Sequence, residues 1–358
     1  MGDDFMFRSY FFNNSNHRMV PILKKIKYVV LTAIIFCCSM WSSSVQAQSG
    51  YFNTYTTYTG MSGSGFYTSM QGMCVDRNNN MIYAAKINTS TQLTQLYSIK
   101  MNSSSSNRTV KLLKNSDTNS TSYDLGHAND LAVKAQKGDE QVSIYVAPMT
   151  DGVKYVKKIV KLQVNTKKST YKVAKAYVLQ YQGTNLSISG ITYSVGADKF
   201  IVRSGNRFFI GNFNDQTGKF EYEATFTLNY TKAVINQSVV DVSKYILQGI
   251  SFYQGTLYVP LSKPDTNGGA SNVSVILTYP LNINQMIKEQ KGTTTKDFSK
   301  ELFTRNDLSF RITSSAFTLF EIEAVDFDDG TLYFNTNRGK KGTQEDMIAT
   351  FNDYNYYK

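Results

Sequence analysis

Leu247-Gln248-Gly249-Ile250-Ser251-Phe252-Tyr253-Gln254-Gly255-Thr256-Leu257-Tyr258-Val259 is the stretch that decides the fold. It opens on a polar, a small and an apolar residue, turns at Gln254-Gly255, and returns as an apolar strand bearing an aromatic ring. Two runs rich in β-branched and aromatic residues around a Gly-containing turn read as a β-hairpin. The phrase recurs four times. Gln71-Gly72-Met73 leads to Ile82-Tyr83, Asn129-Asp130-Leu131 to Ile144-Tyr145, Ser189-Gly190-Ile191 to Phe200-Ile201, and Glu323-Ala324-Val325 to Leu332-Tyr333. The intervening turns are Asn-rich at 78–80, Gly138-Asp139, Gly196-Ala197-Asp198 and Asp329-Gly330. From Gln71 onward the openings are spaced by 58, 60, 59 and 75 residues.

A third strand follows each hairpin: Gln95–Met101, Lys157–Val164, Arg207–Asn214, Val273–Leu281 and Asp346–Asn352. Fourth strands are expected at Thr109–Lys114, Lys172–Gln180 and Phe220–Leu228, with a weaker one within 298–304. The fifth unit ends at Lys358 without one, while Tyr51–Tyr58 has no unit of its own and could complete the last sheet. The expectation is an all-β chain, a five-bladed β-propeller with an N-terminal strand closing the last blade; radial repetition of this kind hides sheet edges. A β-sandwich with long hairpins is the alternative, but it gives no reason for five similar openings. A helical excursion is expected within 282–300, where Ile283, Met286 and Ile287 fall at i, i+3 and i+4.

Residues 24–47 read as a secretory signal: Lys24, Lys25 and Lys27, an apolar run from Tyr28 to Trp41, and the small-x-small site Val45-Gln46-Ala47. The run is about 14 residues, or roughly 21 Å of helix against a hydrocarbon core of roughly 30 Å, so a retained anchor is the lesser alternative. The expected organisation is a leader and signal peptide over 1–47 and one propeller domain over 48–358, secreted and without an integral membrane span. The chain of 358 residues has a net charge of +11, 3 Cys, 2 His and 1 Trp. The leader takes two of the cysteines, one histidine and the tryptophan. It also carries five of the 38 basic residues and two of the 27 acidic ones, leaving the remainder at +8 with Cys74 and His127 alone. No internal disulfide is then possible, and neither a metal nor another cofactor is expected. A basic secreted protein is drawn to anionic surfaces such as wall polymers, whereas export argues against a nucleic-acid partner. Lys154, Lys157, Lys158, Lys161, Lys167, Lys168, Lys172 and Lys175 crowd the second unit. They could track such a polymer or shield an edge strand from pairing.

In a propeller the first strand of each unit lines the central channel. The residue before the small one is polar in every unit: Gln71, Asn129, Ser189, Gln248 and Glu323. Two positions earlier stand His127 and Glu321 in the second and fifth units. These seven are the candidate ligand-binding residues, either as a polar pocket or as caps that bond to neighbouring backbone. Glu321, Glu323 and His127 could serve as acid and base, although spacing alone does not require it. Other chemistry is poorly supplied. There is no Gly-x-Ser-x-Gly elbow, phosphate loop or dinucleotide fingerprint. Cys74 sits between apolar residues, and Asp326, Asp328 and Asp329 lack the spacing of a calcium loop. The scarcity favours a binding protein over an enzyme.

Leu247-Gln248-Gly249-Ile250 through Thr256-Leu257-Tyr258-Val259 with Ser262-Lys263-Pro264 resembles the helveticin-type class III bacteriocins of lactic acid bacteria. The likeness recurs at Glu321-Ile322-Glu323-Ala324-Val325 and more faintly at Gly126-His127-Ala128-Asn129-Asp130. The resemblance implies a large secreted propeller acting on competing bacteria and supplies no catalytic set. The main expectation is therefore a secreted protein that binds a bacterial cell-wall polymer or glycan, with an antibacterial effect. The alternative is a secreted glycan-active enzyme using His127, Glu321 and Glu323.

Overall fold

The computed structural model describes residues 51–356 apart from 53–54, 64, 102–107, 150–153, 229, 236–237, 265–269, 291–307, 312–318 and 341–342. The expected leader and the strand expected within 298–304 lie outside the described residues. Among the described residues five sheets of four to six strands, antiparallel but for two short edge pairings, follow one another along the chain, with two further two-stranded sheets in the connections. Their inner strands are Ser69–Asp76, Asp130–Lys134, Gly190–Ser194, Ser251–Tyr253 and Leu319–Asp328. Each runs through a hairpin connection into a second strand and on to a third, and a fourth strand completes the sheet. The turns take the left-handed backbone that their residues favour: φ is 48° and 81° at Gln254 and Gly255, and 42° and 75° at Asp329 and Gly330.

Each blade is buried on both faces, which explains why its strands are nearly continuous apolar runs. In the second blade Val142, Ile144 and Val146 pack toward the first blade, while Tyr145 and Ala147, pointing the other way, pack toward the third. Five such clusters lie between successive blades, and the one joining Met73, Val75 and Ile82 to Ala324, Tyr333 and Ile348 closes the ring. The chain is thus a five-bladed β-propeller.

Tyr55–Gly60 pairs with Met347–Asn355 as the outer strand of blade 5, so the N-terminal strand does complete the last sheet. The expected run Tyr51–Tyr58 is nevertheless split, because Tyr51–Phe52 lies parallel to Leu308–Arg311 at the edge of blade 4. Thr109–Lys114 divides likewise: Val110–Leu112 ends blade 1, and Lys114–Asn115 joins blade 2. The helical excursion is two turns long, α1 (Ile283–Gln290). Asn282 caps it by accepting from Gln285 N at 3.0 Å, and the Gln290 amide pairs with both backbone groups of Thr225 at 2.7 Å.

Where the repeat has Gly72, Gly190, Gly249 and Ala324, blade 2 has Asp130. A Cβ on Gly72 would stand 2.7 Å from Asp130 Cα, and one on Gly249 would stand 2.8 Å from Asp130 Oδ1. The small residues leave room on the axis, and one carboxylate fills it. Asp130 Oδ2 accepts from Ile191 N and Ile250 N, both at 2.8 Å, and Oδ1 from Leu131 N at 3.0 Å. Blades 2, 3 and 4 are fastened at a single fully buried side chain.

Candidate functional site

The polar residue before each small residue sits at a β-bulge. Gln71 and Gly72 stand opposite Ala85 alone, and Glu323 is inserted between the pairs Ile322–Thr336 and Ala324–Asn335. Gln248, Gly249 and Ile250 face only Val259 and Pro260. Asn129 N and Ser189 N donate to Ala147 and Arg203, residues already registered with Asp130 and Gly190. A bulge turns its extra side chain away from the pleat. Here five bulges at one level aim polar groups into one end of the channel.

They meet one another there. Gln248 Nε2 donates to Glu321 Oε1 at 2.5 Å, and Asn129 Nδ2 to Ser189 O at 2.6 Å. Asn335 donates to Gln71 O, and Arg203 to both Ser189 O and Gln248 O. Gln71, Asn129, Gln248, Glu321 and Glu323 are all buried. A hydrogen bond joins the two glutamates. Burial first, and the Glu321 charge second, push Glu323 well above the ordinary carboxylic range; burial also raises Glu321, against its hydrogen bonds. Ser189 and His127 are half-buried. Burial lowers the His127 imidazole, and among the described residues no hydrogen bond or ion pair joins it to either glutamate. Carboxyls that flank a glycosidic bond stand about 5–9 Å apart, so a pair in hydrogen-bond contact leaves no room for one. This end of the channel is a polar plug.

The opposite mouth, beyond Asp130, is open. A cavity of about 1130 Å³ lies among the ends of the inner strands, the turns after them and α1, and none of the seven sequence-selected residues lines it. On one side Asp326 ties three blades together. Its Oδ2 accepts from Val75 N at 2.8 Å, and its Oδ1 from Ser251 Oγ at 3.1 Å and Arg77 Nη2 at 2.9 Å. Arg77 Nε also donates to Phe327 O at 2.5 Å. The Tyr253 ring stacks on Phe327 at 4.6 Å, with the Arg77 guanidinium 5.0 Å from its centroid. On another side Thr192 and Ser194, two apart on the inner strand of blade 3, share a face. Thr192 Oγ1 accepts from Phe252 N at 3.1 Å and Ser194 Oγ from Ala197 N at 3.3 Å. Among the described residues no acceptor takes either hydroxyl hydrogen, so both donors are available to a ligand oxygen.

Sequence reasoning missed this mouth because it stopped at the polar position of the repeat. The signal was three to seven residues further on, at the ends of the inner strands and in the turns after them. Cys74 is buried and reduced, and burial pushes its thiol up. Among the described residues no three His, Cys, Asp or Glu side chains converge on a point where an ion could sit, and no helix is long and apolar enough to cross a membrane. Much of the blade 2 lysine stretch has partners at home: Lys161 and Lys175 grip the Asp215 loop and Lys167 pairs with Glu140.

No family model matches the chain, and no curated protein sequence does. Among solved structures it is similar to an endo-arabinase from Bacteroides thetaiotaomicron, at 11% identity and a TM-score of 0.44 over 83% of this chain and 97% of that one. A GH43 β-1,3-galactosidase is similar at 10% identity and a TM-score of 0.43; 83% of this chain matches, and it spans 60% of the galactosidase. An exo-1,5-α-L-arabinanase from a bovine ruminal metagenomic library is similar at 8% identity and a TM-score of 0.43, over 79% of this chain and 93% of that one. These likenesses concern the path of the chain and say nothing of which residues act.

Proposed function

We propose that the protein is a secreted glycan-binding propeller that takes its ligand in the open mouth beyond Asp130. The observation that carries this reading is the cavity itself. Its volume of about 1130 Å³ lies at or above the usual range for small-molecule pockets, roughly 300–1,000 Å³, and suits an oligomer. Its lining offers what hydroxyl-rich ligands need. The unclaimed Thr192 and Ser194 hydroxyls donate, and on the same lining the Asn78 amide, which gives one hydrogen to Ala135 O, and the Asn282 amide, whose oxygen caps α1, each keep further hydrogen-bonding capacity. A glycan array followed by titration calorimetry on the purified protein tests it. Oligosaccharide binding that is weakened by Thr192→Val supports the reading; no binding to any glycan, or binding indifferent to the cavity, overturns it.

Export after loss of residues 1–47 and an effect on competing bacteria, which the helveticin resemblance implies, belong to the same proposal. Terminal sequencing of the protein from culture medium and growth-inhibition assays on Gram-positive strains are the measurements. An intact N-terminus on the cell-associated protein removes the first, and unaffected growth of every strain bound removes the second.

A further inference from the structure

The chain is basic, yet the mouth of its cavity is acidic. Asp76, Asp326, Asp329 and Glu289 line it against a single guanidinium, Arg77. Arg77 is moreover committed to Asp326 and to Phe327 O. Lys134, close by, is held by Asp198 at 2.5 Å. The cations that give the chain its charge are elsewhere, many on the outer strands of blade 2. At the tip of the blade 5 hairpin, Asp329 is exposed and Asp328 half-buried. No donor among the described residues reaches either carboxylate. Asp326 and Asp329 flank that tip, and the Thr192 and Ser194 hydroxyls are unclaimed on blade 3.

We propose, building on the glycan-binding reading, that the cavity selects sugar units bearing a free ammonium group over N-acetylated or acidic ones. An ammonium set beside Asp329 and Asp328 meets carboxylates that no hydrogen bond or ion pair among the described residues claims, with the Arg77 charge offsetting only part of the field at Asp328. The Thr192 and Ser194 hydroxyls can meanwhile donate to ring or hydroxyl oxygens of the same or the next unit. Acetylation removes the cation and leaves those hydrogen bonds. A carboxylated or phosphorylated unit would bring like charge to the mouth, so the anionic polymers suggested by net charge alone are the wrong class for this site.

The test is titration calorimetry of the purified protein with size-matched glucosamine, N-acetylglucosamine and uronic-acid oligomers at low and high salt. Expected are an affinity at least tenfold higher for the free-amine oligomer than for the acetylated one, an advantage that shrinks with salt, and the weakest binding by the uronic acids. Asp329→Asn keeps a residue that tolerates the left-handed φ of 42° at this position, so it should fold. Alone or with Asp328→Asn it should bring the amine-to-acetyl ratio toward one while the acetylated oligomer binds as before. Equal or inverted preference in the parent protein, or a preference unchanged in both variants, overturns this inference and leaves glycan binding standing. Failure of all three oligomers and of a general glycan array overturns both.

Discussion

The two mouths of the channel are built on the same five strands and do opposite things. At one end a bulge in every blade turns a polar side chain inward; there Gln248 donates to Glu321, Asn129 to Ser189 O and Arg203 to Gln248 O, while Arg203 Nε is buried without a partner among the described residues. At the other, the strands diverge into their turns around a cavity, with the Thr192 and Ser194 hydroxyls and the exposed Asp329 carboxylate on its lining. Asp130 divides the two. Polarity at a channel is therefore a poor guide to a site; what distinguishes the mouths is that one is packed with polar side chains and the other encloses a cavity.

The comparison fails altogether if the dividing group can be removed without consequence. Asp130→Leu strips the acceptor from Ile191 N and Ile250 N and leaves buried donors unpaired, at about 1–3 kcal/mol each. A loss of about 4 kcal/mol or more in urea unfolding is expected. Gly249→Val should do at least as much damage, because its Cβ would stand 2.8 Å from Asp130 Oδ1 and 3.2 Å from Glu323 O. A variant of either kind with an unchanged unfolding midpoint would show that the axis is looser than this packing.

Next in size is the latch on the plugged side of the ring. Lys86 in blade 1 and Asp346 before the third strand of blade 5 form a fully buried ion pair at 2.8 Å. Asp346 also accepts from Met70 N and Arg338 N. Lys86→Met leaves the carboxylate without its cation, and breaking such a pair costs about 3 kcal/mol or more. Asp346→Asn with Lys86→Met should recover part of that loss, which thermal melts of the single and double variants would measure.

A smaller effect has a sign set by pH. Glu323 is held above its ordinary value of 4.5, first by burial and then by Glu321, so the folded chain binds this proton more tightly than the unfolded one. The stabilisation is full below pH 4.5 and is lost as pH rises through the raised value. Glu323→Gln cannot ionise and escapes that loss. Relative to the parent its stability should rise as pH climbs from below 4.5 toward neutrality, where the parent gives up the proton. Parallel urea midpoints across that range would mean that Glu323 is not the group holding the proton.

Much of this was legible in the chain. Gln254-Gly255 and Asp329-Gly330 announce their hairpins because few residues accept positive φ, and a fifth unit short of one strand points to the strand near the N-terminus. The bulges were not legible: a period of two in side-chain direction carries no mark of one extra residue whose partner strand lies elsewhere. The residue-by-residue alignment did contain the axis, since Asp130 breaks a series of three glycines and an alanine, but the meaning of the break needs the neighbours that converge on it. Which mouth is open could not be read at all, because it depends on hydrogen bonds between residues 60 or more positions apart.

The last way to sharpen the contrast barely touches stability. Thr192→Ser keeps both the acceptor for Phe252 N and the free O–H, whereas Thr192→Val removes both. Loss of one neutral hydrogen bond costs about 1 kcal/mol of stability, so Thr192→Val should fold with a slightly lower melting temperature and Thr192→Ser with almost none of that change. In glycan titrations the two should part further, with affinity falling about tenfold for Val and holding for Ser, since a tenfold change corresponds to about 1.4 kcal/mol. Asn129→Ala at the plugged end makes the matching control: it abolishes the bond to Ser189 O and should lower stability without altering affinity. If Asn129→Ala weakens glycan binding while Thr192→Val leaves it intact, the ligand enters by the mouth whose polar groups are already paired, and the roles assigned to the two ends exchange.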